Sequence, residues 1–195
     1  MPPKVLFTRK EVIRAAVEVT RRNGFAGLTA RALAAELGCS PKPVFGLFKN
    51  MEEVQREVLL AADRLYTAYI ESDMQKGKYP PYKASGMAYI RFAKEERELF
   101  KLLYMRDRSG EVIGEDRASI LPLLELIEKN LGVDEDTAYR FHMEMWIYVH
   151  GIATMIATGF LRWDDAWIDT ILTDAYTGLK NSYSEGSRHA GNQNG

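Results

Sequence analysis

The sequence contains few of the residues on which enzymes and metal sites depend. Its one cysteine, Cys39, excludes an intrachain disulfide and suits a reducing compartment. Its three histidines, His142, His150 and His189, lack cysteine or carboxylate partners at metal-ligand spacing. We also find no glycine-rich phosphate loop, no nucleophile elbow and no zinc-binding histidine pair on a helix. We therefore expect no enzymatic activity, no metal and no cofactor.

Long apolar runs are also missing. A membrane-spanning helix needs about 20 strongly apolar residues. The uncharged segment 145–161 is shorter and contains His150, Thr154, Thr158 and two glycines. The first ten residues lack the apolar core of a secretion signal. We expect a cytoplasmic protein without membrane contact, in which segment 145–161 is a buried helix at a subunit interface.

The alternation of apolar and polar residues that is typical of strands is absent, whereas helical periodicity and helix caps recur. Residues 1–50 predict three helices, capped by Thr8, Thr29 and Ser40. Thr8 and Glu11 have the spacing of a capping box, and Gly24 ends the first helix. Asn50 opens a fourth helix, to about residue 74, and further helices are expected near 82–94, 95–106, 116–131, 135–160 and 164–182. The predicted fold is therefore all-α, with about nine helices. The polar, glycine-rich end, 184–195, predicts a disordered tail.

The charges are distributed unevenly along the chain. Residues 1–50 carry nine Lys/Arg and three acidic residues, a net charge of +6. The remaining residues carry 17 basic and 24 acidic residues, a net charge of −7. A basic module on an acidic body is typical of a nucleic-acid-binding segment joined to a domain with another role. On charge alone, a chance fluctuation is the alternative.

The N-terminal segment has the pattern of a helix-turn-helix. A short helix capped by Thr29 is followed by the tight turn 37–40, LGCS, and a helix that begins at Ser40 and Pro41. Proline suits the first turn of a helix because the N–H it lacks would have no partner there. In such motifs the leading residues of the second helix enter the major groove of DNA.

Several segments of this module resemble the TetR family of regulators. They are residues 23–31, NGFAGLTAR; 37–40, LGCS; 45–48, FGLF; and 50–54, NMEEV. The resemblance implies a helix-turn-helix domain, 1–50, and a helical effector-binding and dimerisation domain, 51–183. It also implies a homodimer that binds palindromic double-stranded operator DNA, usually as a repressor. A small-molecule effector of unknown identity would release the DNA by tilting the helix around residues 50–74.

Residues 146–151, WIYVHG, resemble the tryptophan–histidine–glycine signature of one group of TetR C-terminal domains. The resemblance implies that this helix is the penultimate one and forms the dimer interface with the last helix. Small residues also allow a second helix to approach closely. The candidate interface residues are Gly151, Thr154, Thr158, Ile168, Ile171, Leu172, Ala175 and Leu179.

The candidate DNA contacts lie at the starts of the two helices and along the second one. They are Thr29, Arg31, Ser40, Pro41, Lys42, Pro43, Phe45 and Lys49. The family usually has tyrosine, histidine and lysine where Phe45, Leu47 and Met51 stand, and its tyrosine and lysine contact phosphates. Losing those contacts weakens sequence-independent affinity. The alternative is a DNA-inert helical ligand-binding protein that retains the fold.

Aromatic and sulfur-containing side chains are frequent in the middle of the chain. Such residues line apolar ligand pockets, and they equally fill helical cores. The candidate pocket residues are Met87, Phe100, Tyr104, Met105, Phe141, Trp146 and His150. Phe45 and Phe48 are expected to pack in the core of the N-terminal module, and His150 is either a pocket group or a hydrogen-bonded core histidine.

Overall fold

The structure is a computed structural model that describes residues 7–107, 109 and 117–191. Within those residues the chain forms nine α-helices and one 3-10 helix, Phe25–Gly27, and no strand. The expected all-α fold is therefore confirmed. The α-helices are α1 Arg9–Asn23, α2 Ala30–Glu36, α3 Lys42–Phe45, α4 Met51–Lys76, α5 Pro81–Glu95, α6 Arg97–Tyr104, α7 Arg117–Leu131, α8 Glu135–Ala157 and α9 Asp165–Gly191.

The chain divides into two compact units, and the division does not fall at residue 50. The first unit contains residues 7–69 and 92–107, and thus includes α6 as well as the N-terminal helices. The second contains residues 70–91 and 117–191. Helix α6 joins the first unit because its apolar face, with Leu99 and Phe100 fully buried, packs beside α1. This pairing links distant segments, so helical periodicity could not reveal it.

Helix α1 begins and ends where its sequence predicts. The Thr8 hydroxyl accepts a hydrogen bond from the Glu11 backbone N–H, and the Glu11 carboxylate accepts one from the Thr8 backbone N–H, which completes a capping box. Val12 and Val19 are buried on the inward face. The helix ends at Gly24, whose φ of +70° is a backbone conformation that favours glycine.

The turn between α2 and α3 is a Schellman motif. The Cys39 N–H donates to the Ala34 carbonyl at 3.0 Å, and the Gly38 N–H donates to the Ala35 carbonyl at 3.1 Å. Gly38 adopts the positive φ, +64°, that this motif requires. The expectation that Ser40 caps α3 is wrong: the cap position is Pro41, and no side chain caps this helix. Pro41 has the helical angles that suit a proline at the start of a helix.

The core of the second unit is built by α7, α8 and α9. Leu124, Ile127 and Phe141 are buried at its centre, and Ala175 and Leu179 of α9 pack against them. Helix α9 continues to Gly191, past the predicted end at 182. No proline interrupts the polar segment, so a helix already formed can propagate into it. Residues 192–195 lie outside the described residues, and disorder of the tail in solution stays a prediction.

Candidate nucleic-acid interface

The helix-turn-helix displays most of the predicted DNA contacts on its surface. Thr29 caps α2 by accepting a hydrogen bond from the Ala32 N–H at 3.2 Å, so its hydroxyl is already engaged. Of the eight candidates, only Pro43 is half-buried. The others are exposed: Thr29, Arg31, Ser40, Pro41, Lys42, Phe45 and Lys49.

The cations on α2, α3 and the following turn differ from Arg9, Arg21 and Arg22, the three cations of α1 that form ion pairs. Arg31, Lys42 and Lys49 are exposed, and none of them forms an ion pair with another described residue. In contrast, Arg21 binds Glu96 through two nitrogens, each at 2.8 Å, and Arg22 pairs with Glu36. The three cations of the helix-turn-helix are therefore free of ion pairs with described residues, as are Lys10 and Arg14 of α1, and they can act on a polyanion.

Arg9 is a functional residue that the sequence did not reveal. Its guanidinium donates to the Leu47 carbonyl at 3.0 Å and to the carboxylates of Glu53 and Glu57 at 2.8 and 2.7 Å. It also lies 4.2 Å from the ring centroid of Phe48. These partners raise the pKa of Arg9, chiefly through the hydrogen bonds to Glu57 and Glu53. Arg9 thus holds the backbone that follows α3 against the start of α4.

The start of α4 is fixed by a second set of hydrogen bonds. The Asn50 side chain accepts from the Glu53 N–H at 3.0 Å, as its cap position predicts. Glu53 in turn accepts from the Lys49 N–H at 2.7 Å. This bond and the Arg9 guanidinium lower the pKa of Glu53. The carboxylate therefore stays ionised and secures the turn that carries Lys49.

Phe45 differs from its apolar neighbours on α3. Val44 and Phe48 are buried in the first unit, as expected, whereas Phe45 is 44% exposed. The expectation that Phe45 packs in the core is therefore wrong. Since Val44 and Phe48 are four residues apart, they share the inward face, and Phe45 falls outside it.

The residues predicted for an effector pocket fall in both units. Phe100 and Tyr104 lie in the first unit, with ring centroids 5.1 Å apart, and Tyr104 also meets Tyr66 of α4 at 5.8 Å. Phe100 is fully buried, so it is a core residue there, and Met105 is exposed. In the second unit Met87 is buried and Phe141 is fully buried, which makes Phe141 a core residue rather than a cavity wall. Core and pocket residues have the same composition, and the sequence could not separate them.

Helices α5 and α8 carry two tyrosine–histidine pairs. The Tyr82 hydroxyl lies 3.2 Å from His142 Nδ1, and the Tyr89 hydroxyl lies 2.8 Å from His150 Nδ1. Burial lowers the pKa of His142 to about 4, so its ring is neutral near pH 7. The two tyrosines were not predicted as partners, because the pairs join residues about 60 positions apart.

His150 also stacks on a predicted neighbour. The Trp146 and His150 rings lie 4.8 Å apart with an interplanar angle of 16°. His150 is half-buried, and its Nε2 lies 3.4 Å from the Thr154 hydroxyl. Tyr89, Trp146, His150 and Thr154 thus form a cluster of polar and aromatic groups, which we call the His150 cluster.

The predicted dimer-interface residues also fall into two groups. Ile168 and Leu172 are buried within the chain itself, so assigning them to a subunit interface is wrong. Their apolar stripe continues through Ala175 and Leu179 and faces the protomer's own core. In contrast, Gly151, Thr154 and Thr158 extend a line from Ile147 along α8, and Ile147 is 63% exposed. The remaining candidate, Ile171, is half-buried.

The described residues include neither a membrane-spanning helix nor a metal-binding cluster. None of their helices has the length and apolar character needed to cross a membrane. Nor do these residues bring together three or more histidine, cysteine or carboxylate side chains that could hold a metal ion.

Comparison with known proteins gives matches to both parts of the chain. The family model described as bacterial regulatory proteins, tetR family, matches residues 12–58. A second, described as tetracyclin repressor-like, C-terminal domain, matches residues 82–177. The HTH-type transcriptional regulator Rv0681 of Mycobacterium tuberculosis is 21% identical over 94% of this chain and 85% of its own length.

Two other proteins are similar over different extents. The HTH-type transcriptional regulator TcmR of Streptomyces glaucescens is 27% identical, over 67% of this chain and 52% of its own. A TetR-like transcriptional regulator from Rhodococcus sp. RHA1 has a similar structure, with a TM-score of 0.59 and 16% identity. That alignment covers 88% of this chain and 90% of the other. This structural likeness supports the fold.

Proposed function

Since the chain belongs to the TetR family and is a DNA-binding transcriptional regulator, we propose that it is a homodimeric repressor released from palindromic operator DNA by a small-molecule effector. The protein would act in the bacterial cytoplasm, where its operator is found. The repressor mode, the effector and the palindrome come from the family resemblance.

The observation that carries the DNA-binding part is the division of the cations. Arg9, Arg21 and Arg22 of α1 are neutralised by glutamates of the same unit, whereas all three cations of the helix-turn-helix, Arg31, Lys42 and Lys49, are exposed and form no ion pair with described residues. Unpaired cations on a helix-turn-helix release counterions when they meet phosphates. We propose that these three side chains supply the electrostatic part of operator affinity.

The remaining candidates position the helix-turn-helix on the duplex. We propose that Ser40 and the capping residue Thr29 contact backbone phosphates, and that the α3 surface at Pro41, Pro43 and Phe45 faces the major groove. Thr29 can fill both roles because its hydroxyl accepts from Ala32 and retains a proton to donate. The alternative is a DNA-inert protein. It is suggested by Phe45, Leu47 and Met51, which differ from the residues usual in the family at those positions.

Fluorescence anisotropy on duplex DNA from upstream of the gene, beside a scrambled duplex and across a salt series, tests this proposal. We expect tight, selective binding to the first duplex. Lys42→Ala should weaken binding to both and reduce the slope of log affinity against log salt by about 0.9 for the lost phosphate contact. The control Lys129→Ala, an exposed lysine of the second unit, should leave the slope unchanged. Absence of binding to any duplex at low salt would favour the DNA-inert alternative.

We propose that the homodimer forms through the α8 line of Ile147, Gly151, Thr154 and Thr158. An exposed isoleucine beside small residues favours a close helix–helix contact. A Cβ added at Gly151 would meet no atom within 4 Å, so the space beside this residue is open in the protomer. A second α8 helix would fill that space by two-fold symmetry.

Light scattering at micromolar concentration tests the dimer. We expect a dimer mass for the native chain and a monomer mass for Ile147→Asp. The control Leu60→Asp changes an exposed leucine of α4 in the first unit and should remain a dimer. A monomer mass for the native chain would contradict the proposal.

For the effector we propose a site at the His150 cluster, where aromatic rings and hydrogen-bonding groups lie together. The same residues support a place in the tryptophan–histidine–glycine group. An effector that weakens operator binding must itself bind less tightly in the presence of operator, by the same factor. Screening compounds for release of operator DNA, then repeating the screen with Trp146→Ala, tests the site. We expect the variant to keep operator binding and to lose the response.

A further inference from the structure

We infer that Phe45 reads the C5-methyl group of a thymine in each operator half-site. This inference rests on the proposed function and names one determinant of operator sequence. It assigns a specific role to a position that the resemblance alone would connect with a phosphate.

The first observation is the exposure of the Phe45 ring. Val44 and Phe48 are buried and pack α3 against its unit, so this packing does not require Phe45. The ring is 44% exposed and belongs to the same short segment as the exposed Lys42 and Lys49, neither of which forms an ion pair with a described residue. It is therefore available to a partner that the lysines attract.

The second observation is the chemistry of the α3 surface. Proline has no backbone N–H, so Pro41 and Pro43 remove two donors from the leading end of the helix. A phenyl ring can neither donate to a phosphate nor accept from a base edge. What it can contact is apolar, and the thymine methyl is the apolar group that base pairs present in the major groove.

The third observation is the position of Lys42 relative to the ring. Residues three apart in a helix are neighbours on its surface, so Lys42 and Phe45 share one side of α3. When the lysine is bound to a phosphate or a guanine, the ring is held beside an adjacent base pair. This contact reads the base through its methyl group without any hydrogen bond.

The experiment begins with selection of binding sites by the full-length protein from a library of random duplexes. The best duplex is then synthesised with deoxyuridine in place of each thymidine in turn, which removes one methyl group and leaves the base pair intact. We expect one position in each half-site at which this change weakens binding about fourfold, the value of one buried methyl group. Phe45→Ala should bind the two duplexes equally.

Two further variants separate the ring from its surroundings. Phe45→Tyr keeps the ring and should keep the sensitivity to deoxyuridine. Lys49→Ala, which removes an exposed cation outside α3, should lower affinity for every duplex while the ratio between thymidine and deoxyuridine is retained. The deoxyuridine scan uses the unaltered protein, so it remains decisive if Phe45→Ala does not fold.

The outcomes are distinguishable. If no duplex is enriched, the proposed function fails and this inference fails with it. If a duplex is enriched but no thymidine position is sensitive, or if Phe45→Ala retains the sensitivity, only the role of Phe45 is overturned. A uniform loss of affinity in Phe45→Ala without a sensitive position would place the ring on the sugar-phosphate backbone instead, which also overturns the inference.

Discussion

The two units treat their polar side chains in different ways. In the first unit, Arg9, Arg21 and Arg22 of α1 pair with glutamates, while the cations of α2 and α3 stay exposed and form no ion pair with described residues. In the second, Tyr82 pairs with His142 in a buried position, and Phe141 is fully enclosed. The comparison teaches that net charge alone does not locate a binding surface. What locates it is which charges the fold leaves unpaired.

The largest effect is expected from Phe141→Ala, which tests whether the second unit is packed where a pocket was predicted. A cavity at this fully buried ring should lower the free energy of unfolding by about 3–5 kcal/mol. Chemical denaturation at fixed protein concentration measures it. Leu121→Ala, at an exposed position of α7, is the control and should change it by less than about 1 kcal/mol. A small loss in Phe141→Ala would show that the ring borders open space.

The second prediction concerns how the free energy of unfolding depends on pH through His142, which is buried beside Tyr82. The pKa of His142 is about 4 in the folded chain and 6.5 as its ordinary value. The unfolded chain therefore binds the proton first, and stability is lost as pH falls from about 6.5 through 4. The loss attributable to His142 amounts to as much as about 3 kcal/mol, from 1.36 kcal/mol per pKa unit. His142→Gln should flatten this part of the profile, and an unchanged profile would contradict the assignment.

A smaller effect is expected where the first unit pairs its charges. The Arg21 side chain is 32% exposed and that of its partner Glu96 is 14% exposed. Arg21→Met should therefore lower the free energy of unfolding by about 1 kcal/mol, since the Glu96 carboxylate loses both hydrogen bonds from the guanidinium. Arg22, 59% exposed, makes a matched control, and Arg22→Met should cost less than about 0.5 kcal/mol. Equal costs would remove the distinction between the two arginines.

The smallest effect is expected from Arg9→Lys, which keeps the charge and removes the fork that binds Leu47, Glu53 and Glu57. The segment that follows α3 should be held less firmly. Operator affinity should then fall a few-fold, while the slope of log affinity against log salt stays unchanged. Lys42→Ala, in contrast, should lower the slope. A reduced slope in Arg9→Lys would contradict this expectation, because it would mean that a phosphate contact elsewhere had been lost.

Local rules predicted much of the fold. The Thr8 capping box, the stop at Gly24 and the Asn50 cap depend on residues three or four positions apart, and the structure has all three. The predicted Ser40 cap is wrong because no side chain forms a capping hydrogen bond at the start of α3. Local spacing identifies a helix end well, but neighbouring residues compete for the cap position.

The site was less predictable for a different reason. Phe45 and Phe48 have the same side chain, and only packing shows that one is exposed and the other buried. Ile168 and Leu172 form an apolar stripe that fits a subunit interface and a protomer core equally well, and the fold uses it for the core. Apolar periodicity predicts that a helix face is buried, but it does not show whether the same chain or a second subunit buries it.

The sequence by itself determined the helical class, the helix-turn-helix and the basic character of the N-terminal module, because these follow from spacing and composition. Only the tertiary structure decided that α6 belongs with α1, that Arg9 holds the end of α3, and which cations remain unpaired. These facts depend on contacts between residues 38 to 75 positions apart. Such contacts are set by how helices pack, and no local pattern encodes them.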